Sequence, residues 1–406
     1  MNRKQLITLL LVGLVIGGIG YTTYQGRRNA FQTSDTQLGK KLIPDFPLND
    51  VAHVRVVQAG GELNLVKQSD FWTVRERWNY PANYGEISEL LRKVWELKPI
   101  QAVKVGPSQI GRLELNTPGT NQQNSGTLVE FKDKGSSTLK SLLLGKPYVR
   151  QSEQSSPMGG GDFPVGRYVM VPGGNSNVWL INDPLSNVET NPADWISKDF
   201  FKVEKLKSIA VNHAIETNSW RLFRETEGGE LKLADTNANE QLDTGKASGA
   251  GFALSSPSFN DVAAPETKIE TIGTNSPVSA RLETFEGFVY QVKVVQSTNN
   301  ENYLLSMNVE GTFPAERAPG SDEKPEDKER LDKEFSEKQK KLKEKLANEK
   351  KFTNWIYLVS KWTIDPVLKT RSDLLAVKKE ENPAGDTGAS VIPENTPPLI
   401  DPLKAE

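Results

Sequence analysis

The stretch Val51–Leu65 reads VAHVRVVQAGGELNL, and its reading decides the fold. Val54 and Val56 alternate with His53 and Arg55, the period-two pattern of a strand that buries one face. Gly60-Gly61 then offers a two-residue hairpin turn, and Leu63 and Leu65 resume the alternation on a second strand. Phe71-Trp72-Thr73-Val74 reads as a third short strand.

Moving toward the C-terminus, Tyr84–Leu97 reads as a helix. Ile87, Leu90, Leu91, Val94 and Leu97 fall on one face at helical spacing, and Asn83 followed by Glu86 has the form of a capping box. Strand-like runs return at Thr127–Phe131, Leu139–Leu144, Arg167–Val171 and Val178–Ile181. Gly-, Ser- and Pro-rich loops separate them, notably Gln151–Pro164 and Gly173–Asn177. Short strands, turn clusters and few helices predict a β-rich α+β fold of antiparallel strands.

The pattern then repeats. Ile209 and Val211 alternate as Val54 and Val56 do, Trp220-Arg221-Leu222 echoes Trp72-Thr73-Val74, and Ala280–Val295 supplies paired strands like Thr127–Leu144. Gly228-Gly229-Glu230-Leu231 echoes Gly60-Gly61-Glu62-Leu63 in a different register. The aromatic strand of each unit is followed by a similar block: Asp183-Pro184-Leu185 then Asp199-Phe200-Phe201, and Asp365-Pro366-Val367 then Asp373-Leu374-Leu375. Two related units are expected, over residues 47–203 and 204–379. Residues 321–351 interrupt the second with a charged insertion. There Leu331, Phe335, Leu342 and Leu346 form a sparse helical stripe, and Glu334/Lys338 and Glu337/Lys341 are set for pairing across one turn. This predicts an exposed helix, with residues 322–351 open to a coiled-coil contact. From Glu380 onward Pro, Gly and Asn dominate, the composition of a tail that stays unpacked.

At the other end, Leu6–Tyr24 (LITLLLVGLVIGGIGYTTY) carries no charge. Leu9, Leu10, Leu11, Leu14, Val15 and Ile16 form its apolar heart, and its length just spans a bilayer as a helix. Arg3 and Lys4 precede it, Arg27 and Arg28 follow it, and Tyr21 and Tyr24 sit where interfacial aromatics belong. Residues 1–28 therefore predict a signal anchor in the lipid bilayer, with 29–46 as a stalk. The run is long for a cleaved signal peptide, although Gly18 and Gly20 offer cleavage spacing. Gly13 and Gly17 form a GxxxG spacing.

Composition narrows the function. The chain has 406 residues and a formal net charge of −2, without the basic excess of a nucleic-acid binder. It has no cysteine, which removes thiolate metal sites, disulfides, thiol nucleophiles and a lipid-modified cysteine anchor. His53 and His213 stand beside no nucleophile motif and read as structural residues. Asp235–Asn239 has alternating oxygen ligands, but Glu240 stands where a calcium loop needs glycine and Lys246 where it needs a bidentate acid. Gly145-Lys146 lacks the rest of a P-loop and reads as a strand followed by a turn, and Gly159–Gly161 as a loop with no helix behind it to hold a phosphate. No cofactor or metal is expected.

Several of these residues carry a family resemblance. They are the apolar N-terminal segment, Phe71-Trp72-Thr73-Val74, the Tyr84–Leu97 helix and Leu142-Leu143-Leu144-Gly145-Lys146. Gly166-Arg167-Tyr168-Val169 through Val178-Trp179-Leu180 follows, then Trp195 and Asp199-Phe200-Phe201. Together they resemble the bacterial family named domain of unknown function 4340. That resemblance implies a membrane-anchored protein whose bulk lies on the periplasmic side of the inner membrane. It also implies an accessory role beside ABC-transporter subunits of the gliding-motility type. The functional expectation is a non-enzymatic docking protein. An alternative is a module that binds an envelope glycan through Trp78, Tyr80 and Tyr84, residues that otherwise read as core or core-edge aromatics. A hydrolase with an unrecognised acidic site is the third reading.

Overall fold

The computed structural model describes residues 38–119, 123–149, 163–173, 177–264, 269, 276–298, 302–319 and 323–376. The anchor expected at residues 1–28, most of the Gln151–Pro164 loop and the tail from Glu380 lie outside the described residues. Among the described residues no helix is long and apolar enough to cross a membrane.

In the first unit the strands are β1 (His53–Gln58), β2 (Gly61–Gln68), β3 (Phe71–Val74), β4 (Tyr80–Pro81), β5 (Pro99–Val103), β6 (Thr127–Lys132), β7 (Thr138–Val149), β8 (Pro164–Met170) and β9 (Val178–Ile181). One helix, α1 (Tyr84–Glu96), precedes β5. All the pairings are antiparallel, in the order β4-β3-β2-β1-β6-β7-β8-β9-β5. The alternation of the opening stretch sets the register: Val56 lies opposite Leu63 on one side and Val129 on the other. Val54, Val56, Leu63 and Leu65 are wholly buried, while Arg55 on the other face holds Glu62 and Glu130. Gln58 pairs with Gly61, so the hairpin turn is Ala59-Gly60, one residue earlier than expected.

Two sequence expectations are corrected locally. Gly145-Lys146 is not followed by a turn, because β7 continues through it to Val149. Gly145 is required there by crowding, since a Cβ would meet the Leu113 carbonyl oxygen at 2.3 Å. The capping box forms only in half. Asn83 Oδ1 accepts from Gly85 N and Glu86 N, but the Asn83 N–H donates to the Trp195 carbonyl, and Glu86 accepts from Asn187. The end of the 29–46 stretch is built into this unit. Ile43 and Phe46 are buried, Leu42 N donates to Leu97 O, and Phe46 meets Phe131 edge-on at 5.0 Å.

The second unit has β10 (Leu206–Asn212), β11 (Trp220–Phe223), β12 (Lys232–Leu233), β13 (Asp261–Ala263), β14 (Val278–Thr284), β15 (Phe288–Gln296), β16 (Tyr303–Gly311) and β17 (Ile356–Val359). Its helices are α2 (Thr244–Ala250), α3 (Pro325–Glu349) and α4 (Lys361–Leu368). The sheet order is β12-β11-β10-β14-β15-β16-β17-β13. With β4 set aside, this matches the first sheet position for position. In both, the strand after the first helix pairs at the far edge: β5 with β9, β13 with β17. The expected equivalence of Trp220–Leu222 with Trp72–Val74 is corrected, because β11 pairs with β10 and occupies the place of β2. Likewise Gly228-Gly229 lies between β11 and β12, so its likeness to Gly60-Gly61 joins turns that are not equivalent.

The insertion forms α3, as its composition predicts. Its ion pairs across one turn are Asp327–Arg330, Arg330–Glu334 and Lys340–Glu344. On such an exposed face several pairings differ little in energy, which is why spacing alone did not select them. Leu342 is buried and Leu346 half-buried, while Arg317, bonded to Glu323 and Asp332, braces the other end.

Candidate functional site

The two units share one apolar cluster, and its seam contains the aromatic part of the chain. β4 brings Tyr80 to the edge of the first sheet. The Tyr80 ring meets Trp355 at 4.8 Å, Phe259 at 6.2 Å and Tyr357 at 6.4 Å, all edge-to-face. Phe200, in the segment linking the units, lies among Phe201, Phe259, Phe352 and Tyr357 at 4.5–5.8 Å. Polar ties close the seam on one side. Arg77 grips Asp261 with two bonds, 2.6 and 2.7 Å, and Lys198 Nζ donates to the Asn260 carbonyl at 2.7 Å.

The seam also opens into a groove of about 850 Å³. Its floor is Phe71, Tyr80, Phe200, Phe352 and Trp355. Its lining carries charges of both signs, Asp199 and Glu204 with Lys202, Lys345 and Lys351. Burial pushes the Tyr80 hydroxyl up to about 12. Lys345 bonds Glu204 at 2.6 Å and holds that carboxyl below its ordinary range. Glu349, at the end of α3, is buried. It accepts from Tyr290 Oη at 2.7 Å and Lys202 N at 3.1 Å, and burial raises its carboxyl above the ordinary range.

Ser197 donates to Asp199 at 3.1 Å, but both histidines are engaged elsewhere. His53 is bonded to Asn64 Oδ1 at 2.8 Å and is pushed down by burial; His213 is bonded to the Lys369 carbonyl at 3.0 Å. Among the described residues no group of three His, Asp or Glu side chains could hold a metal. In the Asp235–Glu240 turn, the Glu240 carboxylate and the Asp235 carbonyl both accept from Arg371.

The three aromatics singled out in sequence do not form one face. Tyr80 is 2% exposed and is core, since β4 turns it into the seam. Trp78 is 48% exposed and Tyr84 stands exposed at the start of α1. Trp78 and Asn79 both have positive φ, 53° and 62°. A tryptophan in that region is strained, and strain at an exposed aromatic is a recurrent mark of functional positions. Trp72 is core, and Trp95 is covered by Lys41 Nζ at 3.2 Å from its ring centre. Of the groove floor, sequence singles out Tyr80 as a candidate binding residue; Phe71 and Phe200 stand there as parts of the family resemblance, Phe200 of the repeat as well, and Trp355 as the start of the second unit's aromatic strand.

A family model described as Domain of unknown function (DUF4340) matches residues 72–277, half of the chain, running from β3 past β13 and so across the seam. No curated protein and no solved structure matches the chain.

Proposed function

The chain belongs to the DUF4340 family, and from that premise we propose that it is a non-enzymatic docking protein of the bacterial cell envelope. An N-terminal helix holds it in the inner membrane, its two sheets face the periplasm, and it works beside ABC-transporter subunits. The observation that carries the docking is the aromatic-floored groove between the sheets. Apolar floors with charges in the lining take an extended polypeptide that inserts one or two apolar side chains, with aromatics as anchors. Leu331 and Phe335 of α3, both half-buried, offer a second contact of coiled-coil type.

A photo-crosslinking residue in place of Phe71, itself 52% exposed, tests the reading in cells. Mass spectrometry should identify a transporter subunit, and Trp355→Ala should reduce its yield severalfold. Recovery of no membrane protein would overturn the proposal. The glycan reading rests on the strained Trp78 with Tyr84. Binding to cell-wall fragments that is lost in Trp78→Ala and Tyr84→Ala would favour it; Tyr80→Ala is uninformative because it opens the core.

A further inference from the structure

A second aromatic groove lies on the second unit. It measures about 670 Å³ and is lined by Gly249, Phe252, Pro257, Trp362, Pro366 and Lys369. Phe252 is 71% and Trp362 80% exposed. Two large rings this bare on neighbouring segments are unusual on a folded surface and mark a docking site.

The course of the chain identifies what covers it. The last described residues are stitched beside the start of α2. Leu242 bridges Leu375, Asp243 N donates to Leu374 O, Ala376 N donates to Gln241 O, and Lys246 Nζ donates to Leu375 O. Gly249, near the other end of α2, lines the groove. The chain therefore leaves roughly 10 Å from the groove along one short helix. Residues 377–390 link that point to residue 391 with more chain than the distance requires.

Beyond that linker, residues 391–403 read VIPENTPPLIDPL. Prolines 393, 397, 398 and 402 fix φ at their own positions, which lowers the freedom that such a sequence loses on docking. Aromatic-lined grooves are the usual receptors of such segments. Charge favours the match by a net unit: Glu394 and Asp401 are the charged residues of the segment, while the groove carries Lys361 and Lys369 against the single acid Asp365.

We propose that residues 391–403 fold back in cis onto the Phe252–Trp362 groove, where Leu399 and Ile400 cover the exposed rings. The tail is thereby a tethered ligand of its own second unit. At short range a tether supplies an effective concentration of roughly millimolar, so even weak docking is populated. This inference stands apart from the seam groove and from the identity of any partner.

The absence of cysteine makes the test specific. In the full chain, cysteines are introduced as Ser256→Cys with Thr396→Cys, and separately as Lys134→Cys with Thr396→Cys. Disulfide formation is followed by peptide mass spectrometry. The 256–396 bridge should form within one chain and at least tenfold faster than the 134–396 bridge. Phe252→Ala with Trp362→Ala, both solvent-facing, should abolish the difference, as should Leu399→Asp with Ile400→Asp. Equal rates for the two bridges, or a 256–396 bridge that joins only separate chains, would overturn the proposal. Unchanged thermal unfolding of the variants separates lost docking from lost fold.

Discussion

At the scale of single residues, Glu349 shows most clearly how the second unit is fastened to the linker between units. Its buried carboxyl accepts from Tyr290 and from the Lys202 backbone, and burial raises it above its ordinary range. A carboxyl raised on folding means that the folded chain binds this proton more tightly than the unfolded chain. The site's contribution to stability is therefore greatest below the ordinary carboxylate range and falls as pH climbs through the raised value. Glu349→Gln keeps an acceptor and removes the charge. We expect the variant to gain stability relative to the parent as pH rises from about 4.5 to about 7.5. Urea unfolding at both values measures it, and an opposite trend would show that Glu349 is held as a favourable anion. None of this was legible in sequence, where Glu349 is one acid in a run of lysines and glutamates.

At the scale of elements, legibility followed periodicity. The strands around β1 and the helix α1 were readable because one buried face imposes a period, and Ile87, Leu90, Leu91 and Val94 are buried as their spacing predicts. The short strands β4, β5, β12 and β13 carry too few residues for a clear period and were missed, and so was β16, although Leu305, Met307 and Val309 alternate along its buried face. The cap of α1 was half readable. Asn83 was identified, but the return bond from Glu86 depended on whether a distant carbonyl, that of Trp195, claimed the Asn83 N–H. With its cap bonds to Gly85 and Glu86, Asn83→Ala should cost about 1 kcal/mol. Glu86→Ala should cost less than half of that, because its carboxylate serves Asn187 on the surface. Chemical denaturation of the two variants checks the ranking. Equal losses would mean that the reciprocal box forms in solution after all.

At the scale of the whole molecule, the repetition of one strand order in two sheets was foreseen only in outline. Alternating valines and recurrent aromatic strands gave the units, while the matching of β11 with β2 required the pairings themselves. The seam could not be read at all, because Phe200, Phe259, Tyr80 and Trp355 come together from four separated segments. Yet the seam decides how the molecule behaves. A single apolar cluster passes through both units, and Arg77–Asp261 locks it at one side. The described units should therefore unfold together, in one calorimetric transition, although each sheet repeats the architecture of the other. Phe200 touches more of the seam's rings than any other aromatic there. Phe200→Ala should cost about 3 kcal/mol and resolve the transition into two, since the units lose their shared core while keeping their own sheets. If the parent chain already melts in two steps, the seam is a contact between independent bodies. The groove it floors would then be a hinge that opens, and a docked partner would act by closing it.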